Sequence, residues 1–217
     1  MIKVHNIEKS FGDLRVLRSV SLTIDRGEVV AITGASGAGK STLLQIIGRL
    51  MSSDSGSVVI DGVDVSRLKD RALSRFRNER IGFVFQSHNL LGEFTAFENI
   101  CLPGYIGRFN KREVEQRAGE LLAMMGLEDR RDHKPSELSG GEQQRIAIAR
   151  ALVNNPAVIL ADEPSGNLDS KLRSEIHNLF FELRDKFGLT VVVVTHDNEL
   201  AEMSDRQLVM RDGEIVE

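Results

Sequence analysis

The stretch Gly34-Ala35-Ser36-Gly37-Ala38-Gly39-Lys40-Ser41 narrows the possible folds of this chain more than any other feature. It fits the pattern glycine, any four residues, glycine, lysine, then serine or threonine. With glycine near 7% of residues, that pattern arises by chance in only about 1% of chains this long. Its surroundings are also specific. The continuous apolar run Val29-Val30-Ala31-Ile32 precedes it, and Leu43, Leu44, Ile46, Ile47 and Leu50 follow at helical spacing. An unbroken apolar run suits a strand buried on both faces. Between strand and helix, glycines let backbone N–H groups wrap an anion without Cβ clashes, and the helix turns its positive end toward the same charge. The expectation is a bound nucleoside triphosphate cradled by Gly34, Ala35, Ser36, Gly37, Ala38, Gly39, Lys40, Ser41 and Thr42. Lys40 would reach the β- and γ-phosphates, and the Ser41 hydroxyl would hold Mg²⁺.

The remaining pattern surrounds this loop with an α/β architecture. Leu14–Ile24 alternates apolar and polar residues, and Asp61-Gly62 and Asp212-Gly213 suit hairpin turns because both positions tolerate positive φ. Strand and helix alternate over Val158–Ala161, Lys171–Lys186, Thr190–Val194 and Glu199–Met203, which predicts a parallel sheet with helices on its faces. From about 88 to 152 the pattern is mostly helical; Val114, Ala118, Leu121, Leu122 and Met125 mark one apolar face. At 217 residues, 41% hydrophobic and 28% charged, the chain suits one globular domain. A net charge of −4 argues against a nucleic-acid binder that relies on phosphate neutralisation. No segment approaches the roughly 18 apolar residues of a membrane helix, and no signal-peptide core opens the sequence. The single cysteine, Cys101, is expected as a small buried hydrophobe.

Two further segments carry chemistry. Val158-Ile159-Leu160-Ala161 leads into Asp162-Glu163. Neighbouring side chains on a strand face opposite ways, so the two carboxylates are expected to differ in role. Asp162 would serve Mg²⁺, directly or through water, and Glu163 would activate the water that attacks the γ-phosphate. Leu138-Ser139-Gly140-Gly141-Glu142-Gln143-Gln144-Arg145 opens a second helix, with Ser139 as its N-cap. Gly140 and Gly141 are expected to leave its first-turn amides exposed as a second anion site. A nucleotide gripped from two sides follows.

These residues resemble the ABC ATPase family, whose LSGGQ-like signature is LSGGE here (Leu138–Glu142), and the motifs occur in family order along essentially the whole chain. The resemblance implies a P-loop NTPase with a RecA-like core. It also implies an N-terminal antiparallel β-subdomain, and an inserted helical subdomain over about 88–152 that carries the signature. Phe11 matches the aromatic that stacks on adenine, a position commonly held by tyrosine. Gln86 matches the glutamine that contacts Mg²⁺ and the attacking water, and links them to a membrane partner. Ser139 and Gly141 match residues that bind the γ-phosphate of ATP held by the other subunit. Asn167-Leu168-Asp169 matches the loop along the dimer interface, and His196 matches the γ-phosphate sensor. Reciprocal capping implies a two-fold dimer with two composite sites.

Within the family, Glu163-Pro164-Ser165-Gly166-Asn167-Leu168-Asp169 and Phe83-Val84-Phe85-Gln86 resemble the branch holding lipoprotein-releasing, macrolide-export, antimicrobial-peptide-export and cell-division ATPases. Ser165 stands where that branch commonly has threonine. The free-standing form, without fused membrane domain or C-terminal extension, points to lipoprotein release. The expected partners are a second ATPase subunit and a transmembrane permease, and the expected location is the cytoplasmic face of the bacterial inner membrane. Phe85, Leu90, Leu91, Phe94 and Phe97 suit either a groove for a permease helix or core of the helical subdomain. The basic residues between Arg67 and Arg80 suit either a solvated face or a lipid contact. A soluble repair or translation ATPase would carry tandem, coiled-coil or basic insertions, which this chain lacks. A switch GTPase would need Asn-Lys-x-Asp, and Asn110-Lys111-Arg112-Glu113 ends in the wrong residue.

Overall fold

A computed structural model describes residues 1–216. The N-terminal residues form β1 (Ile2–Phe11) and β2 (Leu14–Ile24), and β3 (Val29–Gly34) then runs into α1 (Lys40–Ile47). Next come β4 (Ser55–Ile60), β5 (Val63–Asp64), α2 (Asp70–Arg80) and β6 (Ile81–Phe85). Three helices follow: α3 (Ala96–Ile106), α4 (Lys111–Met124) and α5 (Gly140–Leu152). The chain closes with β7 (Val158–Asp162), α6 (Ser170–Phe187), β8 (Thr190–Val194), α7 (Asn198–Met203), β9 (Arg206–Arg211) and β10 (Glu214–Ile215).

The strands make two sheets. An antiparallel sheet has the order β2-β1-β4-β5, and a six-stranded sheet has the order β10-β9-β3-β8-β7-β6. All pairs of the second sheet are parallel except β10 with β9. The P-loop α/β fold and its antiparallel N-terminal layer are thus as the sequence implied. Both Asp-Gly steps turn tight hairpins, with φ of 50° and 79° at Asp61 and Gly62 and 48° and 83° at Asp212 and Gly213.

The central strands β3, β7 and β8 are apolar without alternation because both their faces are covered, and the two faces feed separate cores. On one side Val30, Ile32, Val158, Leu160, Val192 and Val194 pack with α1 and the antiparallel sheet. On the other, Ala31, Ile159, Ala161, Val191 and Val193 pack with α3, α4, α5 and α6. Cys101 lies fully buried in this second core. Asn110 caps α4, accepting from the amides of Arg112 and Glu113; that local task accounts for the residue that superficially resembled a base-reading motif.

Two elements between the antiparallel sheet and the helices escaped the sequence reading. Helix α2 has no buried residue, so it carries no apolar stripe. Several basic residues of this stretch are tied down locally: Arg67, just before the helix, pairs with Asp64, Arg75 with Glu79 and Arg80 with Asp61, while Arg77 donates to the Arg49 carbonyl. The solvated-face reading of this stretch fits these pairings. Strand β6 hides its periodicity because Ile81, Gly82 and Val84 are buried while Phe83 and Phe85 lie at an exposed edge.

Candidate active site

Four neighbouring parallel strands end side by side. In register, Phe85 lies beside Asp162, Asp162 beside Val194, and Val194 beside Ile32. The residues just past these ends are therefore Gln86, Glu163, Thr195-His196 and the phosphate loop. Open α/β sheets bind ligands in a crevice at these carboxyl ends.

The loop from Gly34 to Gly39 is built on glycine for identifiable reasons. A Cβ on Gly34 would stand 2.1 Å from the Met210 carbonyl oxygen, and one on Gly39 would meet Leu17 at 2.9 Å and the Val16 carbonyl at 3.0 Å. Gly37 and Gly39 also hold φ of 80° and 99°. Ala35, Ser36 and Gly37 are exposed. The Lys40 ammonium donates to the carbonyls of Gly34 at 2.8 Å and Ala35 at 3.0 Å, which holds it inside the loop at the N-terminus of α1.

Asp162 follows Leu160 onto the α1 face, as strand alternation requires. There the Ser41 hydroxyl donates to Asp162 Oδ1 at 2.9 Å. Burial pushes the Asp162 carboxyl up, and nearby Glu163 adds to the rise, while the Ser41 bond and the Lys40 charge pull it down. A hydroxyl and a carboxylate in contact are a hard oxygen pair of the type Mg²⁺ selects. These residues fit that ion.

Glu163 leaves the strand alternation. Its φ is 47°, a left-handed conformation uncommon outside glycine. Its amide donates to the Val194 carbonyl at 2.9 Å, and its carboxylate turns toward the end of β8. His196 Nδ1 lies 2.9 Å from Glu163 Oε1, and the hydroxyl of Thr195 and the amide of His196 both approach Oε2 at 3.4 Å. The His196 side chain is 71% exposed, so its ring meets the crevice. Gln86 is exposed; its Nε2 donates to Asn167 Oδ1 at 3.0 Å, and Asn167 Nδ2 returns a bond to the Gln86 carbonyl. This pair joins the end of β6 to the loop after Glu163.

The second anion site is on the opposite face of the sheet from α1, since α5 packs in the core with α3 and α4. Ser139 caps α5 in a capping box, its amide and hydroxyl donating to Glu142 Oε2 while its Oγ accepts from the Glu142 amide. Hydrogen bonds from the Ser139 amide and hydroxyl, together with Arg130, hold the Glu142 carboxyl below its usual range despite partial burial. Ser139 and Gly140 are exposed, but Gly141 is not. A Cβ there would meet Leu172 at 3.1 Å, so Gly141 serves the packing of α5 on α6, and Gly140 alone opens the helix end. Asp169 accepts from the Leu172 amide at 3.0 Å as N-cap of α6. Phe11, at the end of β1, is 49% exposed with the Lys9 ammonium 5.4 Å from its ring centre.

The profile of the ABC transporter family matches residues 17–166. The chain belongs to the ABC transporter family. A lipoprotein-releasing system ATP-binding protein, LolD, of Bacteroides thetaiotaomicron is 58% identical over 99% of both chains. A LolD of Porphyromonas gingivalis is 56% identical over 98% of this chain and 97% of its own. A dimeric ATP-binding cassette, MJ0796, in a post-hydrolysis state with ADP and Pi superposes with a TM-score of 0.91 at 44% identity, covering 100% of this chain and 97% of that one. This member of the family is an ATPase and binds ATP.

Three features of the ABC cassette were not legible in its sequence. Thr195 anchors both Glu163 and, through Asp197 N at 3.0 Å, the start of α7. Asn167 braces Gln86. Ser165 is buried and shares a hydrogen bond of 2.9 Å with His177, a polar residue inside the apolar stripe of α6. That interruption of Ile176, Leu179, Phe180 and Leu183 was the available signal.

Proposed function

We propose that this chain is the ATP-hydrolysing subunit of a lipoprotein-releasing transporter, closing as a dimer over two ATP molecules beneath a separate permease. The observation that carries the cargo class is the full-length likeness to LolD proteins at 56–58% identity. The dimer rests on the two anion sites. The phosphate loop heads α1 on one face of the sheet, whereas Ser139 and Gly140 head α5 on the other. One chain cannot bring both to one phosphate, but two copies related by a two-fold axis can.

In this cycle the loop amides and Lys40 hold the phosphates, and Phe11 stacks on the base. Ser41, Asp162 and Gln86 would hold Mg²⁺, and the bound ion would neutralise charge on the phosphate oxygens. Glu163 accepts the proton of the attacking water, and His196 faces the γ-phosphate. The partner's Ser139, Gly140 and Gly141 backbone complete the cleft, while Asp169 lies on the loop at the interface. Phosphoryl transfer asks mainly for this positioning and charge stabilisation.

A groove of about 540 Å³ beside the Gln86 strand end is lined by Leu50, Phe83, Phe85, Leu91, Leu102 and Ile106. Of the five residues with two sequence readings, Phe97 is core, Leu90 packs on that core, and Leu91 and Phe94 are exposed. The groove is the proposed seat of a permease helix, which would place this chain at the cytoplasmic side of the inner membrane. Among the described residues no helix is long and apolar enough to cross a membrane.

Ser139→Arg tests the composite site. The exposed arginine leaves the Lys40 loop intact, so the monomer binds ATP within about two-fold of wild type while closure and turnover fall at least 10²-fold. Normal turnover rules out a shared cleft. For the cargo, depleting the chain should strand lipoproteins in the inner membrane, and the detergent-extracted complex should contain permease subunits. Purification with ribosomes or DNA alone overturns the transport reading.

A further inference from the structure

We infer that His177 is a positioning residue that, through Ser165, ties the loop carrying Glu163 to α6, the helix whose Arg173 holds the loop after His196; the inference rests on the roles proposed above for Glu163 and His196. His177 is fully buried on α6, and its Nε2 shares a 2.9 Å hydrogen bond with the hydroxyl of Ser165, itself only 3% exposed. Ser165 lies two residues after Glu163. One ring nitrogen of His177 and one carboxylate oxygen from each of Asp197 and Glu199 lie within 4.8 Å of one another, and Asp197 follows His196 directly. His177 Nδ1 has no hydrogen-bond partner among the described residues. Arg173 already occupies Asp197 at 3.2 Å, and Ser174 donates to Glu199 at 3.1 Å, so these carboxylates answer to α6 side chains.

The contacts close a ring around the proposed base. Glu163 touches Thr195, Thr195 accepts from the Asp197 amide, and Asp197 is held by Arg173 of α6. Arg173 also donates to the Leu168 carbonyl at 3.3 Å, and His177, one turn along the helix, returns the ring to Ser165. Helix α6 thereby grips both loops. Glu163 needs such a grip, because a left-handed non-glycine backbone persists only where its surroundings over-determine it. Burial lowers the His177 pKa, and the Arg173 charge adds to this, while Asp197 and Glu199 act the other way. The ring works as a strut through its hydrogen bond to Ser165.

The strut predicts a split between rate and binding, because ATP is held by the loop of α1 on the other face of the sheet. In steady-state ATPase assays on the full chain, His177→Leu should lower kcat about 10-fold, the scale of a displaced catalytic group. Its KM for ATP should change less than about two-fold, as when only transition-state interactions are lost. His177→Gln, whose amide reaches toward Ser165, should return kcat to within about two-fold of wild type. The decisive variant is Ser165→Ala with His177→Leu. Removing both partners leaves no buried hydroxyl unpaired, so the melting temperature recovers. If His177 merely fills the core, kcat recovers with it; if it is the strut, kcat stays low. A double variant with wild-type kcat overturns the inference, as does a Gln variant as slow as the Leu one. Glu163→Gln run alongside separates the two levels. Its loss of turnover beside an unslowed His177→Leu overturns the strut alone, whereas full turnover of Glu163→Gln overturns the base assignment and the strut with it.

Discussion

Glu163→Gln binds ATP with nearly wild-type affinity and turns it over 10²–10⁴-fold more slowly, the range expected for removal of a general base. The amide has the shape of the carboxylate, so the contacts to Thr195, to the His196 amide and to His196 Nδ1 remain available. What disappears is the ability to take a proton from water. In the proposed cycle affinity survives because the phosphates would be held elsewhere, by the Gly34–Ser41 loop and the Ser41–Asp162 pair, which lies on the α1 side of β7. With hydrolysis blocked and nucleotide saturating, the variant should run as a dimer in gel filtration, since the contact bridging two chains is never cleaved. The measurement is single-turnover hydrolysis together with elution volume. Wild-type turnover would move the base to another group, and a monomer under saturating ATP and Mg²⁺ would dissolve the composite cleft.

How much of this was legible depended on whether local chemistry or tertiary context set each residue. The conformation of the phosphate loop, the strand-end position of Asp162 and the Ser139 cap were legible because each is written in backbone requirements at fixed spacing: glycines with positive φ, a strand-end carboxylate, an N-cap. The central strands were legible because burial on both faces leaves an unbroken apolar run. Helix α2 was not, since none of its residues is fully buried: Phe76 packs on the core only in part, and its other ties are polar, such as Asn78 donating to the Pro103 carbonyl. Strand alternation separated Asp162 from Glu163, and Asp162 does follow Leu160 onto the α1 face. It could not foresee that Glu163 breaks alternation through a left-handed φ, which the bond to Val194 and the contacts of the β8 end sustain. Gly141 illustrates the converse error. A glycine beside an anion site suggests exposure, yet this one is small so that Leu172 can pack against it.

Lys40→Ala loses ATP affinity by 10²-fold or more. The ammonium lies inside the loop, bonded to the carbonyls of Gly34 and Ala35. It can exchange these neutral acceptors for phosphate oxygens with little movement, so little side-chain entropy is lost on binding. Hydrogen bonds to charged groups are each worth about 1.5–3 kcal/mol. Two such bonds, to the β- and γ-phosphates, amount to about 3–6 kcal/mol, or roughly 10²–10⁴-fold in affinity. Alanine also suits the first turn of α1, and its Cβ stays within the volume the lysine stem occupied, so the fold should persist. Thermal unfolding of the nucleotide-free variant should lie within a few degrees of wild type, because only two bonds to partly exposed carbonyls are lost. The check is titration with a fluorescent ATP analogue, with the melting curve measured on the same preparation. Unchanged affinity in a folded variant would mean that Gly34–Ser41 does not hold the triphosphate, and the mechanism built on that loop would fall.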